Sequence, residues 1–87
     1  MSVYRLEPID SDHPSWKYSK EQEKVWAAAP SEAAARDLVA ARSGFDPASG
    51  GTSPWKDPAV TSCVLDPTLK YLNENDVVRN DGSTVNY

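Results

Sequence analysis

The sequence predicts a small α+β domain: a three-stranded sheet with one helix packed across one face. Three observations lead there. Residues 25–29 are Val, Trp and three alanines, and they pass through Pro30 into Ser31-Glu32-Ala33-Ala34-Ala35-Arg36, a strand that turns directly into a capped helix. Two further short stretches alternate their residues with the period of two expected of strands. The 87 residues suffice for one domain, in which a single helix and a single sheet must share a core.

Taken in order, residues 3–9 form the first expected strand. Tyr4 and Leu6 fall on one face and Arg5 and Glu7 on the other. Pro8 has no amide proton to give a ladder, so this end lies at a sheet edge or leaves the sheet. Residues 10–22 read as a polar loop punctuated by Pro14 and anchored by Trp16 and Tyr18. Residues 23–29 form the second strand, with Val25, Ala27 and Ala29 on one face and Lys24, Trp26 and Ala28 on the other. Its small alanines let a helix approach closely. Ser31 reads as the helix N-cap, Glu32 suits the positive end of the helix dipole, Arg42 the negative end, and Gly44 the C′ position. The expected apolar stripe is Ala34, Ala35, Leu38, Val39 and Ala41. Residues 45–58, with Pro47, Gly50, Gly51, Pro54 and Pro58, read as a long loop without regular structure, anchored by Phe45 and Trp55. Residues 60–65 form the third strand, stopped by Asp66-Pro67, and residues 68–73 a short helical turn carrying Leu69 and Leu72. The domain is thus expected over residues 1–72. Residues 73–87 follow as a C-terminal tail or as a hairpin, for which Asp81-Gly82 between β-branched residues is the signal. The expected core is Tyr4, Leu6, Val25, Leu38, Val39, Cys63 and Leu65.

Charge narrows the partners. The net charge is −4, and acidic residues outnumber basic ones in each third of the chain. Nucleic-acid binding, which needs clustered Lys and Arg, is disfavoured. The lone Cys63 excludes a disulfide framework and points to a reducing, cytoplasmic setting. No stretch resembles a signal peptide or a membrane span, so no membrane partner is expected.

Each candidate for chemistry has a plainer reading beside it. His13, near Asp10 and Asp12, has the residue types of a general base or metal ligand, but without a visible nucleophile or further ligands it reads as a loop histidine. Cys63 has no cation beside it in the sequence and sits in a strand, so it reads as a buried structural thiol rather than a nucleophile. Glu21 and Glu23, or Asp10 and Asp12, have nothing to fix their separation. Gly50-Gly51-Thr52-Ser53 lacks the lysine and the following helix of a phosphate loop. No catalytic or metal residues and no cofactor are therefore assigned. The remaining candidates are Trp16 and Trp55, two tryptophans in proline-bearing loops, with Asp57 beside the second. They read either as core cover or as exposed anchors for a protein partner.

These residues also carry a resemblance. Val3-Tyr4-Arg5-Leu6-Glu7-Pro8-Ile9-Asp10, Trp16, the Ser31–Arg36 helix opening and Pro54-Trp55-Lys56-Asp57-Pro58-Ala59-Val60-Thr61-Ser62-Cys63 resemble a group of short, uncharacterised bacterial proteins. The resemblance covers residues 3–65 and implies no activity, so no site residue is carried over from it. The expected function is a non-enzymatic protein-interaction module: a small adaptor, regulator or inhibitor. The alternatives are a small enzyme or ligand-binding protein whose site a homodimer completes, through His13 and Cys63, and nucleic-acid binding through Arg36, Arg42 and Lys56.

Overall fold

The computed structural model describes residues 2–46, 48, 51–68 and 72–87. Four strands and one helix follow in the order β1 (Ser2–Pro8), β2 (Val25–Ala29), α1 (Glu32–Arg42), β3 (Thr61–Leu65) and β4 (Val77–Arg79). The sheet is antiparallel throughout, in the spatial order β3-β1-β2-β4. Its register lines up Leu65, Tyr4, Ala27 and Val77 in one row and Val64, Arg5, Trp26 and Val78 in the next, on the opposite face. The chain therefore passes from β2 through α1 to β3, with β1 lying between those two strands.

The α+β class holds, with four strands where three were expected. The fourth strand comes from within residues 73–87. β4 pairs with β2, Thr84 bridges back to Val78, and Val85 is fully buried in the main core. Three residues carry too little alternation to announce a strand, and β4 is held by pairing rather than by propensity. The expected helical turn at residues 68–73 falls largely outside the described residues.

The main core lies between the sheet and α1 and joins Leu6, Val25, Ala27 and Ala29 to Ala35, Val39, Ala40, Val60, Cys63, Val77 and Val85. Ala27, Ala29 and Ala35 are all but inaccessible, so helix and sheet meet through small side chains. Ser31 caps the helix by accepting the Ala34 amide, and Gly44 follows with φ +73°. The buried stripe is Ala35, Val39 and Ala40, so the helix is turned slightly from the expected orientation: Leu38 is half-buried and Ala41 exposed. The opposite sheet face carries a smaller cluster of Trp26, Ala28, Val78 and Leu72. That second cover explains why all five residues of β2 are buried.

Leu65 was expected in the core and is instead 64% exposed. It shares the helix-side face with Cys63, but it stands at the end of the edge strand, beyond the cover that α1 gives. Tyr4, its partner across the ladder, is half-buried for the same reason.

Candidate functional site

The two loop tryptophans are not exposed anchors. Each loop contains a short 3-10 helix, Pro14–Tyr18 and Pro54–Lys56, where no regular structure was expected. Both begin with a capping side chain followed by proline: the imidazole of His13 accepts the Ser15 amide, and the hydroxyl of Ser53 accepts the Trp55 amide. That cap-proline pairing is the signal in the sequence. The two turns aim their tryptophans inward. Trp55 is fully buried and Trp16 is 4% exposed. Their rings meet edge to face, with centroids 5.1 Å apart and planes at 88°. Each indole N–H is satisfied: Trp16 donates to the Asp10 carbonyl at 2.8 Å, and Trp55 to the Ser19 hydroxyl at 3.2 Å. This corrects the interface reading, because burial against the core leaves neither ring available to a partner.

Asp57 is likewise structural. Its carboxylate accepts the Ala59 amide at 2.9 Å, and its carbonyl accepts the amides of Val60 and Thr61 at 3.0 and 2.9 Å. With the Thr61 hydroxyl donating to the Pro54 carbonyl at 2.7 Å, the Pro54-Trp55-Lys56-Asp57 segment is a staple that launches β3.

His13 lines a 270 Å³ groove with Tyr18, Phe45, Pro54 and Asp57. Nδ1 accepts the Ser15 amide at 3.2 Å and lies 2.7 Å from the Ser15 hydroxyl. The ring thus spends Nδ1 on holding its own turn. Cys63 lies in the main core and does not line this groove. Burial pushes its thiol up to about 11, against a smaller opposing pull from Arg36 and a further push from Glu32. It is protonated at neutral pH and a weak nucleophile. Among the described residues no group of three or more His, Cys, Asp and Glu is placed to hold a metal. Of the cations considered for nucleic acid, Arg36 donates to the Trp55 carbonyl at 3.2 Å and pairs with Glu32 at 4.0 Å, and Lys56 pairs with Asp37 at 3.7 Å.

The feature that sequence reasoning missed is the β3 edge of the sheet. Backbone bonds just beyond the paired segment fix which groups of β3 face β1. Asp66 donates to the Val3 carbonyl at 2.9 Å, and Ile9 donates to the Val60 carbonyl at 2.8 Å. Antiparallel partners alternate between exchanging both bonds and exchanging none. The even residues Val60, Ser62, Val64 and Asp66 therefore bond to β1, and the odd residues Thr61, Cys63 and Leu65 turn their N–H and C=O groups outward. The Thr61 amide is taken by Asp57. The outward groups of Cys63 and Leu65 meet no partner among the described residues.

The other edge is built differently. Val77 and Arg79 also face outward from β4, but Val85 donates to the Val77 carbonyl and Arg79 to the Ser83 carbonyl, both at 2.8 Å. The guanidinium of Arg79 locks this cover, donating to the buried Glu21 carboxylate at 2.7 Å, the Thr84 carbonyl at 3.1 Å and the Tyr87 hydroxyl at 3.0 Å. Among the described residues, the chain thus protects one edge with its own groups and leaves the other open. Three of the four large exposed hydrophobic side chains, Ile9, Val64 and Leu65, lie on or beside the open edge. Edge strands are commonly shielded by lysine, proline or a bulge, and Thr61-Ser62-Cys63-Val64-Leu65 contains neither of those residues nor any charge.

No family model, curated protein or solved structure matches the chain. Among the described residues, no helix is long and apolar enough to cross a membrane.

Proposed function

We propose that this protein is a non-enzymatic interaction module that binds another polypeptide by strand addition along β3. The observation that carries the reading is the open, uncharged edge at Cys63–Leu65, with Val64 and Leu65 exposed on its two faces. An added strand gains main-chain hydrogen bonds from the outward groups and apolar contact from side chains that alternate between the faces. Burial of both tryptophans speaks against a loop-borne hot spot, and the raised thiol pKa of Cys63 speaks against a nucleophilic site at the same edge. Its reduced thiol suits a cytoplasmic setting.

Leu65→Pro tests the reading. It deletes an outward N–H, while the ladder to β1 is carried by even-numbered residues and survives. Wild-type and Leu65→Pro proteins are immobilised and exposed to an extract of the source organism. The expected result is a protein retained by the wild type and lost with Leu65→Pro at an unchanged fold by circular dichroism. Identical retention by the two would overturn the proposal.

A further inference from the structure

We infer that the strand received by this edge is β3 of a second copy of the same chain, in an antiparallel two-fold pairing that places Val64 opposite Val64 of the partner. The inference rests on the strand-addition reading and adds the occupant and the register.

The edge is self-complementary in one register. An antiparallel pair forms main-chain bonds only where outward-facing residues stand opposite one another, so odd residues must meet odd residues. Centring the two-fold on Val64 sets Cys63 opposite the partner's Leu65 and Leu65 opposite the partner's Cys63, and the outward N–H and C=O groups of these two residues are used in both copies. Centring it on Cys63 would instead set Leu65 against the partner's Thr61, whose amide is already bonded to the Asp57 carbonyl at 2.9 Å. In the Val64 register the next outward pair would be Thr61 and the partner's Pro67. One has its amide engaged and the other has none, so the ladder ends there without stranding a donor.

The side chains agree with this register. A two-fold perpendicular to the sheet keeps both helices on one face. There each exposed Leu65 comes beside the partner's Cys63, at the corner that α1 leaves uncovered. On the opposite face the two Val64 side chains meet as a non-hydrogen-bonded pair, the closer of the two antiparallel pair types. Asp66 falls opposite the partner's Ser62, so no like charges are set face to face. The result is a continuous eight-stranded sheet whose outer edges are both β4, each already covered by residues 83–85. Only a short ladder joins the copies, which places the dimer among weak, concentration-dependent associations.

The test combines sedimentation with a directed cross-link. Wild-type protein is expected to move from monomer to dimer as its concentration is raised to about 1 mM. Cys63→Ala/Val64→Cys is expected to give a disulfide-linked dimer on mild oxidation, and Cys63→Ala/Ser62→Cys is not, because residue 62 faces residue 66 of the partner. Should either variant fail to fold, the wild type alone decides: the amides of Cys63 and Leu65 must become protected from exchange as concentration rises. A monomer at every concentration, or cross-linking through residue 62 rather than 64, overturns the inference. Loss of partner retention in Leu65→Pro by a protein that stays monomeric would overturn the dimer while leaving strand addition standing. Equal retention by Leu65→Pro and wild type, without self-association, would remove both.

Discussion

Trp55 shows what a single side chain does in a domain of this size. Its ring closes the core against Trp16, its indole holds Ser19, and its carbonyl receives Arg36. Truncating a buried tryptophan costs about 3–5 kcal/mol, out of a total of about 5–15 kcal/mol for a typical domain. Trp55→Ala is therefore expected to lower the melting temperature sharply or abolish the folded state, and an unchanged melting curve would show that the ring is not core. Asp66 acts through charge instead. Hydrogen bonds from the Thr68 side chain, the Trp26 indole and the Thr68 amide, with Arg5 nearby, hold its carboxyl down at about 2, below the ordinary 3.8. A depressed carboxyl stabilises the fold fully above its unfolded pKa, and that stabilisation is lost as the pH falls through the folded value. Urea melts of the wild type should lose stability between about pH 4 and pH 2, and Asp66→Asn should flatten that part of the profile; an identical profile would contradict the assignment. The sequence offered core cover for Trp55 beside the anchor reading without deciding between them, and it gave no sign of the role of Asp66. A tryptophan beside proline has the same letters whether its turn aims it inward or outward, and the partners of Asp66 come from residues 61 and 40 positions away as well as from its neighbour Thr68.

Elements whose ends are set locally were readable, and elements held by distant pairing were not. The helix is the clear case: Ser31, Glu32, Arg42 and Gly44 all stand where capping and dipole arguments place them. Ser31→Ala is expected to cost about 1 kcal/mol, measured by denaturant melts. Gly44→Ala should cost more, because φ is +73° and the added Cβ would lie 2.9 Å from Lys20 Cδ and from Tyr87 Cβ. A smaller effect at Gly44 than at Ser31 would contradict this account of the helix end. The first three strands were also visible in their alternation, with ends shifted by one or two residues. β4 was not, since three residues gain strand structure only against β2. The same locality explains Leu65. Alternation assigned its face correctly, but how far α1 reaches across that face depends on the helix position, which no local pattern carries.

At the scale of the molecule, the sheet is asymmetric in its protection. The chain uses residues 83–85, Arg79, Glu21 and Tyr87 to close the β4 edge, whereas Thr61–Leu65 of β3 contain no charge and no proline, and among the described residues no segment covers the outward groups of Cys63 and Leu65. Sequence reasoning placed the interaction surface on tryptophans because large aromatic side chains mark hot spots. An edge is invisible to that reasoning, since it exists only once the strand order is known. The central claim is that β3 is open in the single copy, and amide hydrogen exchange on dilute protein tests it most directly. The account predicts slow exchange at Ser62 and Val64, whose amides bond to β1, and fast exchange at Cys63 and Leu65, whose amides face outward. Strong protection of Cys63 and Leu65 in the dilute monomer would mean that the chain covers its own edge, and would contradict the account.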